Sequence, residues 1–596
     1  MRLSISETKN AASFYVIKSV TIDGRRTSKV VESLGTRTEL EQKLGGRDPV
    51  EWANEYIEDL NRKEKEMARE IRVKYSPIKK IPKEEQRSYN GGYLFLQRIY
   101  HQLSLDKICA DITAKQKFTF DLNSILSRLV YSRVIYPASK LSTLELSKKF
   151  IEQPAFELQH IYRALEVIAK ESDFIQSELY KNSATKIKRN SGVIYYDCTN
   201  FFFEIEEEDG MKKYGKSKEH RPNPIVQMGL FLDADGIPLA FVIFSGNDSE
   251  QPSMTPLERK LISDFNLSKF VVCTDAGLSS LANRKFNSRG GRAFITTQSV
   301  KKLRKELKEW ALDHSKSWRL IGPDPAGGKN PRKEYDISEV DEALYKCSTF
   351  YKEQWIKDDE GFEQRLIVTY SIKYRDYHRR IREGQIERAQ KLIESNPKKM
   401  KKANQNDFKR FISKTSVTEY GELADKEVYS INEDTIAEEE KYDGFYAACT
   451  VLEDSAEQVI KVLGGRWEIE ETFRILKSEF KARPVYLKRD DRISAHFTTC
   501  FIALMLYRLL EYTLTQNMLN MDTTGENGAR HIFTCHKTID ALRDMNFLQV
   551  KGEGFIPAYT RTDLTDALHE AFGFRTDYEI VTEKNMKNIF RLTKSR

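Results

Sequence analysis

Paired cysteines are what this sequence most plainly lacks. Its seven cysteines (Cys109, Cys198, Cys273, Cys347, Cys449, Cys500 and Cys535) are odd in number and scattered, with no Cys-x2-Cys pair. That disfavours both a disulfide framework and a zinc ribbon. The nearest zinc-like fragment, Cys535-His536, has no second pair to complete it. Reduced, structural cysteines in a cytoplasmic protein are the expectation. Long apolar runs are also missing. The best, CFIALMLYRLL near residue 505, falls short of the ~18 apolar residues a membrane span needs and is interrupted by Arg508. It reads as a buried helix, and no membrane partner is expected. The N-terminal stretch MRLSISETKNAASFYVIKS has no contiguous apolar core of the kind a secretory signal requires. There is no internal repeat and no low-complexity tract. Charge of one sign is barely in excess: 97 Lys plus Arg against 89 Asp plus Glu, a net of +8 over 596 residues. Such an average neither requires nor excludes a polyanionic partner.

What is present is an ordinary globular composition, 40% hydrophobic and 11% aromatic, with enough apolar bulk for cores. The length suggests about three to five structural units. Residues 1–85 read as an N-terminal hairpin turning at Asp23-Gly24, a charged helix over 50–74 and a basic linker around Pro77 and Pro82. Residues 86–190 carry helical patterns. Residues 191–300 supply at least five strand candidates in close succession, including GVIYYDCTNFFFEI, a hairpin turning at Asp235-Gly236, FVVCTDAG and GRAFITTQS. Residues 301–440 are polar and irregular. Within them, 365–414 holds fifteen Lys or Arg against five acids, and 421–443 holds nine acids against two bases. Apolar helical periodicity returns over 441–515, and a C-terminal region, 516–596, follows.

Three places could carry chemistry. Asp197 sits within a β-rich apolar run, where a carboxylate is costly unless something pairs with it; a metal ion would, and a plain turn cap is the alternative. Asp275 repeats the arrangement: an apolar strand, an acid, then Gly277 for a sharp exit. The third is GGRWEIEETFRILKSEF, residues 464–480. On a helical wheel Arg466, Glu470 and Lys477 fall within about 60° of one another at ~100° per residue. Ile469, Phe473, Leu476 and Phe480 form a separate packing stripe. A solvated salt-bridge row is the alternative reading of the charged face. Taken together, two strand-borne acids and a helix-borne Glu make a set of hard oxygen ligands suited to Mg²⁺ or Mn²⁺. Two such ions serve phosphoryl transfer, with Arg and Lys beside them to hold phosphate oxygens.

These residues resemble the DDE transposases of bacterial insertion sequences, in particular the group with a Tyr-x2-Arg-x3-Glu-x6-Lys signature. Arg466, Glu470 and Lys477 stand at the required spacings, and Leu463 occupies the tyrosine position. YYDCTNFFFE is similar to the family's first-acid strand and CTDAGLSSLAN to its second. YGKSKEHRPNP matches its Gly-x-Ser-Lys-x-His-Arg-Pro segment, with Asn223 where an acid is usual. YDGFYAACT and KARPVYLKRDDRISAHFTTCFIALML resemble the strand leading back to the core and the segment after the Glu helix. Together these cover roughly residues 190 to 510.

The resemblance implies an α/β fold: an RNase H-like catalytic core interrupted by a β-rich insertion domain (301–440), with a helical N-terminal region whose 86–190 segment binds DNA. It implies that Asp197, Asp275 and Glu470 are catalytic and ligate two divalent ions, Mg²⁺ or Mn²⁺. Arg466, Lys477, Lys216, Lys218, His220 and Arg221 would then meet DNA. The implied reaction is hydrolytic nicking at the element end, then attack of the freed 3′-OH on target DNA, without a covalent enzyme intermediate. The implied partners are double-stranded DNA, as transposon ends and as target, and a second copy of the chain in a synaptic complex. In related enzymes a base can be flipped onto an aromatic; Trp310, Trp318 and Trp355 are candidates, with core packing as the alternative. The tract Lys398-Lys399-Met400-Lys401-Lys402 is a candidate for nonspecific phosphate contact. Two other functions fit the same residues: a metal-dependent nuclease or resolvase that never joins strands, and a domesticated DNA-binding protein without catalysis.

Overall fold

The computed structural model describes all residues except 8–11, 23–24, 68–69, 74, 316, 329–332, 359, 396–406, 418–422, 522–532 and 596. The chain divides into two compact units, Met1–Glu85 with Val550–Glu553, and the remainder. In the smaller unit, strands Arg2–Glu7, Ala12–Ile22 and Arg25–Thr36 form an antiparallel sheet. The expected hairpin is thus present, while its Asp23-Gly24 turn lies outside the described residues. Helices Arg37–Leu44 and Pro49–Met67 follow. Thr36 starts the first with a reciprocal capping box to Glu39. Phe14, Leu40 and Ala53 form the small core. The second helix is shorter than the 50–74 expected.

The larger unit is mixed α/β. Among the described residues its main sheet has nine strands: β1 (Val193–Phe202), β2 (Ile225–Asp233), β3 (Pro238–Ser245), β4 (Val271–Thr274), β5 (Ala293–Gln298), β6 (Arg319–Ile321), β7 (Thr349–Lys357), β8 (Glu363–Tyr370) and β9 (Phe445–Thr450). The spatial order is β6-β7-β8-β9-β5-β4-β1-β2-β3. β1, β2 and β3 are antiparallel neighbours, whereas β1, β4 and β5 run parallel. Segment 301–440 is therefore built into the sheet and not set off from it: β6, β7 and β8 extend the sheet beyond β9. Helices Lys305–Leu312, Ile372–Ser395 and Glu433–Glu440 and the strand pair Ile412–Val417 with Leu423–Ile431 also belong to that segment.

Alternation along the strands divides two cores. On one face Ile194, Tyr196, Cys198, Phe231 and Val272 pack with helix Met254–Asp264. On the other, Tyr195, Cys273 and Ile295 pack under α1 (Ala456–Gly464). Phe201, Met228 and Leu230, on that same face, join the large cluster containing α2 (Trp467–Arg474) and α3 (Asp490–Met521). α3 corrects one expectation from the sequence. It is long and apolar enough to cross a membrane by length and composition, yet 94% of its most apolar window is buried inside the protein. Arg508, which interrupts the run, is buried with Glu511 at 2.9 Å and Thr472 at 2.8 Å. Residues 86–190 are helical as expected. Their side chains, from Tyr93 to Leu179, share a core with α3.

Candidate active site

Strand register brings two of the three acids together. β1 and β4 pair in parallel with Val193 opposite Val271 and Tyr195 opposite Cys273, an offset of 78 residues. Asp197 and Asp275 are separated by the same 78 positions; Asp275 lies one residue beyond the end of β4, and its charge reaches Asp197. Adjacent strands lie about 4.8 Å apart. Tyr195 and Cys273, which precede the acids by two, lie on the face that α1 covers. Asp197 accepts the Cys198 N–H at 2.7 Å, and Asp275 accepts the Leu278 N–H at 3.0 Å as the chain leaves its strand.

The pair is electrostatically tense. Burial pushes the Asp197 carboxyl up from 3.8 to about 6; Lys218 and Arg466 pull it down, and Asp275 adds to the rise. Lys218 donates to the Cys198 carbonyl and lies 3.1 Å from Glu250. Burial alone would lower its ammonium, but Asp197 and Glu250 hold it above the ordinary value.

α1, which precedes the helix bearing the third acid, docks on β1 through two contacts at its C-terminal end that the sequence motif does not contain. The Tyr195 hydroxyl donates to the Val462 carbonyl at 2.9 Å. A Cβ on Gly465 would lie 2.2 Å from that same hydroxyl, so only glycine permits the approach. Leu463, at the signature's tyrosine position, is 6% exposed and packs with Tyr195, Cys273 and Ala448. A phenol there would need a partner for its hydroxyl in an apolar site. Tyr446 on β9 instead sets a hydroxyl beside Arg466, whose charge opposes the upward push of burial on that phenol.

The charged row expected along one regular helix is broken. α1 ends at Gly464, α2 starts at Trp467, and residues Ile475–Glu479 form a π-turn closed by the Phe480 N–H to the Ile475 carbonyl at 2.9 Å. Lys477 lies within this π-turn, whose wider winding changes the angle per residue, and it meets Glu219 at 3.2 Å. The packing stripe survives, with Ile469, Phe473, Leu476 and Phe480 all buried. Glu470 is exposed. Among the described residues no group of three or more His, Cys, Asp or Glu side chains could hold a metal ion. Asp197 and Asp275 are brought together; Glu470 does not close on them.

A match to a family model covers residues 200–506, just over half of the chain, and is described as a transposase DDE domain. This chain belongs to the DDE transposase family. No curated protein matches this transposase. One solved structure that aligns with it is the piggyBac transposase in a synaptic complex with hairpin DNA, by cryo-EM. The two are 8% identical, with a TM-score of 0.34, over 85% of this chain and 88% of that one. DDE transposases use divalent metal ions, and the Asp197–Asp275 pair fits one: two hard oxygen donors, one partly desolvated and strained by the other, are relieved by a cation.

The other motif residues of the transposase fall into two groups. Lys216 and His220 are exposed, with His220 in the left-handed region at φ 55°. Lys218, Arg221 and Lys477 are engaged by acids. Glu219 gathers Lys477, Arg483 and, at 3.8 Å, Arg221, which also stacks 4.3 Å over Phe202. Glu219 and Arg483 were invisible to motif reading, since only tertiary folding makes them meet. Of the tryptophans, Trp318 is wholly buried, with Nε1 donating to Asp313 at 3.0 Å, and Lys352 lies over both Trp318 and Trp310. Trp355 is 48% exposed on β7. The basic and acidic stretches partly cancel in space: Arg382 binds Asp443 at 2.8 and 2.5 Å with both side chains buried, and Arg410 binds Glu439 at 2.7 Å. The Lys398–Lys402 tract lies outside the described residues.

Proposed function

We propose that this transposase cleaves DNA at the ends of a bacterial insertion sequence and joins the freed 3′-OH to target DNA. The observation that carries the reading is the pair of Asp197, on β1, and Asp275, one residue beyond β4, whose charge reaches Asp197. These two carboxylates would hold Mg²⁺ or Mn²⁺, and Glu470 from α2, which does not close on them in this structure, would have to move in to serve as third ligand. When bound, two such ions supply Lewis-acid stabilisation of the attacking and leaving oxygens of an in-line displacement. Lys218 and Arg466 balance charge around Asp197 and favour its ionised form. Arg466 and Lys477 would hold phosphate oxygens of the strand being cut, and the exposed Lys216 and His220 would meet DNA at the rim, as would Arg221 once released from Glu219. The mixed sheet with helices over both faces supports an RNase H-like core, and the extension through β6 to β8 occupies the place of the insertion. A homodimeric synaptic complex belongs to the same proposal, as does DNA binding by the 86–190 helices.

The test is a joining assay with DNA carrying the inverted repeats that flank the gene. Wild type with Mg²⁺ is expected to nick at the repeat and produce strand-transfer product, and Asp197→Ala and Asp275→Ala to do neither. Cleavage without joining would favour a nuclease or resolvase. Function unchanged in Glu470→Ala would favour a DNA-binding protein without catalysis.

A further inference from the structure

A cavity of about 340 Å³ lies between the start of helix Lys140–Ser147 and the loop after the π-turn. Its size is at the lower end of small-ligand sites, about 300–1,000 Å³. Its basic lining comes from Arg133, Lys140, Lys481 and Arg483, with the His496 imidazole beside them, and no Asp or Glu is among the described residues that line it. Lys140 is the decisive group. It is 5% exposed, and its ammonium has no hydrogen-bond partner among the described residues. A buried, unpaired charge is among the costliest things a fold can keep.

No acid among the described residues lines the cavity to offset Lys140, and burial, then the neighbouring Arg133, pull its ammonium down from 10.5 to about 7, so an arriving anion would restore its charge. Arg133 is tied down by donating to the carbonyls of Phe480 at 3.1 Å and Ala138 at 3.2 Å, so it pins both walls of the cavity. Its own Nε is buried without a partner. His496, beside the Ala482 carbonyl at 3.1 Å, is pushed by burial well below its ordinary value and stays neutral. The first turn of helix Lys140–Ser147, whose Ser142 N–H is capped by the Ser139 hydroxyl at 3.2 Å, forms part of the wall through Ser139, Lys140 and Leu141. Tyr162 and Tyr486 add aromatic lining. At the rim, Arg483 reaches Glu219, which also holds Lys477.

We infer that this cavity is a phosphate-binding site, with Lys140 as the buried anchor of a phosphate group and Arg483 as its rim contact. A phosphate supplies the negative charge and the several acceptor oxygens that Lys140 and the Arg133 Nε–H lack. The site is separate from the acid pair, and its test needs neither metal nor cleavage.

The experiment measures binding to the full chain by calorimetry and by thermal melting at matched ionic strength. The probes are inorganic phosphate, a 5′-phosphorylated oligonucleotide and the same oligonucleotide without its 5′-phosphate. Lys140→Met and Lys140→Gln are compared with wild type. Wild type is expected to gain melting temperature with phosphate over chloride, and both variants to lose at least about tenfold in affinity, equivalent to ~1.4 kcal/mol. Both variants should melt no lower than wild type without anion, since they remove a buried amine that has no hydrogen-bond partner among the described residues. Lys140-dependent binding of inorganic phosphate would identify a free anion as sufficient. Such binding seen only with an oligonucleotide would identify a phosphate carried on DNA. The inference fails if no probe binds wild type more tightly than the variants, or if removing Lys140 destabilises the protein while leaving phosphate affinity intact.

Discussion

Replacing Asp197 by Asn should make the metal-free protein more stable while ending its catalysis. The folded state raises this carboxyl from 3.8 to about 6, chiefly by burial. A folded-state value above the unfolded one means the fold prefers the protonated acid. Stability is therefore lost as pH rises between about 4 and 6, and the full cost is present at neutral pH. A rise of that size corresponds to about 3 kcal/mol. Asn is neutral and keeps the Oδ1 that accepts the Cys198 N–H at 2.7 Å. We expect a gain of roughly 1–3 kcal/mol at pH 7.5 that vanishes near pH 4. Thermal melts across that range measure it. Adding Mg²⁺ should raise the wild-type melting temperature, because a ligand bound only by the folded state stabilises it, and should do little for Asp197→Asn. An Asn variant that melts below wild type at pH 7.5, or whose advantage persists unchanged at pH 4, would refute the claim that Asp197 is held at a desolvation cost.

The other predictions concern how the helix docks and how charge is stored. Gly465→Ala should cost about 1–3 kcal/mol, because its Cβ would lie 2.2 Å from the Tyr195 hydroxyl. Tyr195→Phe removes the colliding atom, so a double-mutant cycle in chemical denaturation should show positive coupling between the two. Glu219→Gln should free Lys477 and Arg483, which it now holds, and tighten DNA binding. The log affinity against log salt slope should steepen by up to about 1–2, read by fluorescence anisotropy. Arg382→Ala should destabilise the protein by about 3–5 kcal/mol by stranding the buried Asp443, and restoring neutrality with Asp443→Asn should recover part of that loss.

Much of the core was legible because it rests on local patterns. Apolar strands ending in acids gave β1 and β4, and the stripe Ile469, Phe473, Leu476 and Phe480 gave the buried side of the Glu helix. The distribution of charge was not legible, since Arg382 and Asp443 lie 61 residues apart and nothing local announces that they pair. The π-turn at Ile475–Glu479 was equally hidden: a helical wheel assumes one angle per residue, and that assumption put Lys477 in line with Glu470. How 301–440 joins the rest was hidden for a related reason: β7 and β8 are strands of the main sheet, and only the pairing of β8 with β9 reveals it.

The strand that carries Asp197 and the one that leads to Asp275 are phased by a hydrogen-bonded ladder that ends two residues short of the acids, and this has an evolutionary consequence. Loops and whole elements between the two strands can lengthen, shorten or be exchanged without moving the carboxylates, provided the pairing of Val193 with Val271 is kept. A slip of a single residue would turn one carboxylate to the opposite face of the sheet. Mutational tolerance should therefore be sharply divided here: broad in the connections, where target and end preferences can drift, and almost nil in the few residues that set strand phase.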